Sequence, residues 1–123
     1  MKILIVSATK SKNYTLGEEI SGLLKADHEM ISLEDYPLPL FVPGGEKADD
    51  AVIAELVSKF ENVNGFIFCA PEYNAGIPPI LTNAITWISV STKNWRDVFN
   101  NKKALIATHS GSSAHAFLSS FQA

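Results

Sequence analysis

Cysteine is almost missing from this chain: Cys69 is the single thiol among 123 residues, so an internal disulfide is excluded. Histidine is scarce as well, and His28, His109 and His115 are too scattered to suggest a metal cage. Apolar runs never exceed a few residues, which is too short to span a bilayer. The run after Met1-Lys2 is also too short for the apolar region of a signal peptide. No charge of one sign dominates. Ten Lys and Arg against 13 Asp and Glu give a net charge of −3, which offers no bulk electrostatic grip on nucleic acid or an anionic membrane. There is no GxGxxG, no Walker A motif and no G-x-S-x-G elbow, so dinucleotide-binding, P-loop and serine-hydrolase readings lose support. A phosphoacceptor receiver domain would need an acidic pair after its first strand and an aspartate closing its third. Those places hold Ser7-Ala8 and Ala70-Pro71.

What is present is 46% hydrophobic and 19% charged residues, the composition of one globular domain with one core. The default expectation is a soluble cytoplasmic α/β domain.

Ile3-Leu4-Ile5-Val6 is short and rich in β-branched residues, and it predicts a buried strand. A polar stretch follows. Thr15-Leu16-Gly17-Glu18 then has the form of a capping box, and Leu16, Ile20, Leu23 and Leu24 predict one helical face. Glu29-Met30-Ile31-Ser32-Leu33 predicts a second strand. The connection over residues 34–47 carries Pro37, Pro39, Pro43, Gly44 and Gly45, which forbid a regular helix. Its apolar members Leu38, Leu40, Phe41 and Val42 predict that it packs on the domain or on a neighbouring subunit. Val52, Ile53, Leu56, Val57 and Phe60 predict a second helix, and Phe66-Ile67-Phe68-Cys69-Ala70 a third buried strand. Ile80, Leu81, Ala84, Ile85 and Ile88 predict a third helix behind Pro78 and Pro79. Ala104-Leu105-Ile106-Ala107-Thr108 predicts a fourth strand, and about residues 114–121 a short fourth helix. Strands alternating with helices predict a parallel sheet covered on both faces, wound right-handed.

In such sheets a ligand sits beyond the carboxyl ends of the strands. Three loops therefore matter. The first, residues 7–14, leads to a helix N-terminus, where free N–H groups and the helix dipole favour an anion. Thr9, Ser11, Asn13 and Thr15 add hydroxyl or amide groups, and Lys10 and Lys12 add charge. On these residues alone, phosphate binding and plain capping by Thr15 with solvated lysines stand as equal alternatives. The second loop carries Pro71, Glu72, Tyr73, Asn74 and Gly76. Tyr73 offers an aromatic plane and Asn74 a donor and an acceptor, which suits a planar ligand. The bland alternative is a strand-to-helix turn shaped by proline and glycine. The third loop, His109-Ser110-Gly111-Ser112-Ser113, bares its backbone. Cys69, in a buried strand, is expected to be plain core.

Pro71-Glu72-Tyr73-Asn74 followed by Ile77-Pro78-Pro79-Ile80-Leu81-Thr82-Asn83-Ala84-Ile85-Thr86-Trp87 strongly resembles the NAD(P)H-dependent FMN reductase family, which includes azo-, quinone and chromate reductases. The resemblance extends over nearly the whole chain. It implies a flavodoxin-like three-layer sandwich with parallel strand order 2-1-3-4. It implies that Thr9, Lys10, Ser11, Lys12, Asn13 and Thr15 hold the phosphate of FMN. Pro71, Glu72, Tyr73 and Asn74 would line its ring, and Ser110 and Gly111 would close the other side. NADPH or NADH would be the reductant and a quinone, azo compound, flavin or metal the acceptor, with no dedicated catalytic residue. A homodimer or homotetramer built partly on the helix of Asn83 and Trp87 is implied too. The first loop departs from the family pattern Gly-Ser-x-Arg-x-x-Ser-x-Asn: lysine stands for arginine, a point charge for a fork. The chain also stops at Ala123, before the fifth strand and closing helix of such domains. The fourth strand is then expected to be an open edge. Either a neighbouring subunit completes the domain or the chain is a shortened product of a longer reading frame. The competing reading is a non-catalytic relative, either a flavin-binding electron carrier or a scaffold without flavin.

Overall fold

The computed structural model describes residues 1–73 and 76–109. Four strands, β1 (Lys2–Ser7), β2 (Asp27–Ser32), β3 (Gly65–Cys69) and β4 (Lys103–Ala107), form one sheet in the order β2-β1-β3-β4. All three pairings are parallel. The connecting helices are α1 (Lys12–Leu23), α2 (Asp50–Glu61), α3 (Pro79–Ser91) and a short α4 (Trp95–Phe99). This is the expected parallel sheet and strand order, with strand limits moved by a residue or two. Leu33 leaves β2 for a 3-10 turn, Leu33–Asp35, whose first free N–H, that of Glu34, is taken by the Ser32 hydroxyl.

Side chains alternate across the sheet, as a two-residue period requires. Leu4, Val6, Phe66 and Phe68 face α2 and α3 and build the larger core with Leu56, Phe60, Leu81 and Ile88. Ile5, Ile67 and Cys69 face the other way and pack with Ile20, Leu24 and Met30. Burial pushes the Cys69 thiol up from its usual value to about 11. Cys69 is thus the inert core residue its position in the strand suggests.

Two local expectations are corrected. Thr15 does not cap α1. The helix begins at Lys12, and Thr15 sits in its first turn with its N–H bonded to the Ser11 carbonyl. Leu23 is 83% exposed. The buried face of α1 runs through Asn13, Gly17, Ile20 and Leu24, and at 3.6 residues per turn Leu23 points about 90° away from its centre. Gly17 is there because α1 crosses the sheet closely: an added Cβ would stand 2.7 Å from Met30 Cε. The helix α4 has only five residues, too few for a helical period to declare itself, and it is fixed by burial of Val98 and Phe99 against the core.

The proline-rich connection does pack on the domain. Asn83 Nδ2 and Trp87 Nε1 both donate to the Pro39 carbonyl, at 2.9 and 2.7 Å, and Asn83 Oδ1 accepts from the Phe41 N–H at 2.9 Å. The Phe41 ring meets Trp87 edge-on, centroids 5.2 Å apart. Strand β4 pairs with β3 alone among the described residues, and Leu105 on it is 58% exposed. The expected helix near residues 114–121 lies outside the described residues.

Candidate functional site

The register brings the carboxyl ends of all four strands level. Ser7 lies opposite Ser32 and Cys69, and Cys69 lies opposite Ala107. The three loops therefore leave the sheet from one edge. They are tied as they leave: the Ala8 N–H donates to the Cys69 carbonyl at 2.9 Å, and the Ala70 N–H to the Ala107 carbonyl at 3.2 Å.

In the first loop, buried Ser7 turns the chain by donating to the Thr9 carbonyl at 2.6 Å. The Thr9 and Ser11 hydroxyls lie 2.8 Å apart. Helix α1 starts without a side-chain cap, and the N–H groups of Tyr14 and Thr15 both turn back to the Ser11 carbonyl. The N–H groups of Ser11, Lys12 and Asn13 are the donors such a start leaves over. With the helix dipole behind them they can accept an anion, and the hydroxyls of Thr9 and Ser11 lie beside them.

Asn13 has a different task from the one its residue type suggests. It is 2% exposed, and its carboxamide is bonded to the backbone of His109: Oδ1 accepts from the N–H at 2.8 Å and Nδ2 donates to the carbonyl at 3.3 Å. The side chain joins the first loop to the third. Only the backbone N–H of Asn13 faces the task of holding an anion.

Lys10 is also engaged. Its ammonium pairs with Asp35 Oδ1 at 2.5 Å, and its backbone N–H donates to the Glu34 carboxylate. The hydrogen bond and charge of Asp35 hold the lysine above its usual pKa. Glu34 and Asp35 belong to the turn after β2 and were not singled out from the sequence. The available signal was an acidic pair placed directly after a strand that neighbours β1.

In the second loop the Tyr73 and Gly76 backbones exchange two hydrogen bonds, at 3.2 and 2.9 Å. Tyr73 is 51% exposed, and Pro71 and Glu72 are half-buried. Pro78 is fully buried at the start of α3. At the end of β4, Thr108 Oγ1 is buried without a hydrogen-bond partner among the described residues. Asn74, Ser110 and Gly111 lie outside the described residues. Among the described residues no three His, Cys, Asp or Glu side chains gather as metal ligands, and no helix is long and apolar enough to cross a membrane.

An uncapped helix start with two hydroxyls, beside a loop that exposes an aromatic ring and a strand end whose hydroxyl has no partner among the described residues, fits a planar molecule carrying a phosphate. Sheet order, parallel pairing and the helices between the strands place the chain among flavodoxin-like α/β proteins. Comparison with known families narrows this. The NADPH-dependent FMN reductase family matches residues 1–123, and the chain belongs to that family. FMN is the cofactor of the family, and NADH or NADPH the reductant.

The chain is 30% identical over 109 residues to the NADH-dependent flavin reductase subunit 2 of Lactobacillus johnsonii, which covers 86% of this chain and 58% of that protein. It thus spans well under two thirds of the length of that curated relative. Among solved structures, a flavoenzyme NAD(P)H:(acceptor) oxidoreductase from Paracoccus denitrificans superposes with a TM-score of 0.76 at 19% identity, over 96% of this chain and 66% of that one. An FMN-dependent NADH-azoreductase from Bacillus anthracis, solved in complex with FMN, superposes with a TM-score of 0.61 at 17% identity, over 91% of this chain and 70% of that one.

Proposed function

We infer that this chain is the flavin-binding part of an NAD(P)H oxidoreductase that passes electrons to a quinone, azo compound, flavin or metal. The observation that carries the reading is the uncapped start of α1 at the sheet edge shared by the three loops. When bound there, FMN supplies the redox chemistry, accepting hydride equivalents from the nicotinamide and releasing electrons to the acceptor.

The chain's own residues bind and orient. The N–H groups of Ser11, Lys12 and Asn13 and the hydroxyls of Thr9 and Ser11 hold the phosphate. Lys12 in the first turn adds charge, and Thr15 stands on the same turn. Pro71, Glu72, Tyr73 and Asn74 line the ring, with Ser110 and Gly111 across from them. No side chain is assigned an acid or base role. The assembly is a homodimer or homotetramer in the cytoplasm. Asn83 and Trp87 are engaged with the 39–41 segment, so subunit contact on this side uses the exposed Leu40 and Val42 beside them.

The test is titration of the purified protein with FMN, FAD and riboflavin, followed by flavin fluorescence. FMN binding well above that of riboflavin supports the phosphate seat, and NAD(P)H oxidation with a quinone is then the next assay. Failure to bind any flavin, or equal affinity for FMN and riboflavin, overturns the reading. FMN binding without NAD(P)H oxidation makes the chain an electron carrier.

A further inference from the structure

The phosphate seat carries an unusual neighbour. The N–H of Lys10, next in the chain to its backbone donors, is bonded to a carboxylate, that of Glu34. The loop's first cation, the ammonium of Lys10, is bonded to a second carboxylate, that of Asp35. Both acids sit on one 3-10 turn after β2, and the Ser32 hydroxyl steadies that turn by accepting from the Glu34 N–H. Sequence-adjacent to Lys10 are Ser11, Lys12 and Asn13, the donors left for a phosphate. A dianion held there has the Glu34 carboxylate, bonded to the neighbouring N–H, inside the range at which charges still feel each other at physiological ionic strength, about 8 Å. It also loses the help of Lys10, whose charge is matched by Asp35.

We propose that Glu34 and Asp35 set the affinity of the first loop for phosphate, weakening its hold on the phosphate of FMN through their charge. This rests on the flavin reading above. The two acids act on affinity through charge, not by shaping the loop. A glutamine at position 34 retains an oxygen to accept from the Lys10 N–H, so the geometry survives while the charge goes. An asparagine at position 35 likewise keeps an acceptor and frees the lysine charge. Both side chains are exposed, so neither substitution disturbs the core.

The experiment compares the full chain with Glu34→Gln, Asp35→Asn and the double variant, titrating each with FMN and with riboflavin at low and high salt. FMN should bind about fivefold tighter for each charge removed. Riboflavin, which lacks the phosphate, should not change. The gain should shrink at high salt, because screening weakens a charge effect and leaves a structural one intact. FMN affinity that is unchanged or weaker in the variants, equal tightening for riboflavin, or a gain indifferent to salt overturns the proposal while leaving FMN binding by the unmodified chain in place. Failure of all four proteins to bind any flavin overturns the flavin reading and this proposal with it.

Discussion

Asn13 and His109, 96 residues apart in the chain, are joined by a two-bond clasp between a buried carboxamide and a backbone. The side chain behaves as an extra strand partner at the point where β4 ends. It fixes the distance between the start of α1 and the third loop, the two sides of the proposed cofactor site. Replacing Asn13 by alanine removes both bonds and leaves the backbone groups of His109 unpaired. The expected cost is about 1–3 kcal/mol, read as a shift of the denaturation midpoint. Flavin affinity should fall for FMN and riboflavin together, because loop spacing is lost and not a phosphate contact. A selective loss of FMN alone would show that the carboxamide itself meets the phosphate.

The proline-rich connection depends on Asn83. In Asn83→Ala the Pro39 carbonyl keeps only Trp87, and the Phe41 N–H loses its acceptor. Stability should drop by about 1–2 kcal/mol. Limited proteolysis should then cut within residues 38–48 faster than in the unmodified protein. Unchanged cleavage kinetics would mean that the ring contact of Phe41 with Trp87 is enough to hold the segment.

The start of α2 rests on a true cap. Asp49 Oδ1 accepts from the N–H groups of Ala51 and Val52, at 2.9 and 3.2 Å. Asp49→Ala should cost about 1 kcal/mol, and Asp49→Asn should recover most of it. Equal losses in both variants would assign the effect to charge at the helix end and not to the hydrogen bonds.

Cys69 makes an alkaline signature. The folded thiol titrates at about 11 against 9.0 for an ordinary one. Between these values the unfolded state binds fewer protons than the folded state, so stability falls as pH rises from 9.0 toward 11. The loss attributable to this group is about 2–3 kcal/mol. Cys69→Ala should therefore show a shallower decline between about pH 8 and about pH 11, whatever the constant cost of its smaller side chain. Parallel declines in the two proteins would remove the thiol as the cause.

Much of the fold was legible along the chain. Ile3 to Val6 and Phe66 to Cys69 read as strands because short, β-branched or aromatic apolar runs suit a sheet covered on both faces, and the run Ala104 to Ala107 reads as a strand too, although the structure leaves it largely exposed. The second helix was legible from Val52, Leu56 and Phe60 at helical spacing. Less was legible at the ends of elements. Thr15 resembles a cap in sequence, but α1 begins at Lys12 and Thr15 lies inside its first turn. Leu23 matched the apolar period, but the buried face passes through a glycine and an asparagine that no hydrophobic count weighs.

The sequence by itself determined the four strands and the first three helices in their order, the loops that gather at one sheet edge and the family to which the chain belongs. The alternation follows from short-range hydrophobic spacing, which acts over a few residues, and the family from the resemblance carried by residues 71–87. The tertiary structure alone decided what the polar residues of those loops do. Asn13 became a clasp, Lys10 was matched by Asp35 and covered by Glu34, and Asn83 and Trp87 were spent on Pro39 and Phe41. A hydrogen-bonding side chain takes whichever partner the fold brings within about 3 Å, and for these residues that partner lies 24 to 96 positions away in the chain.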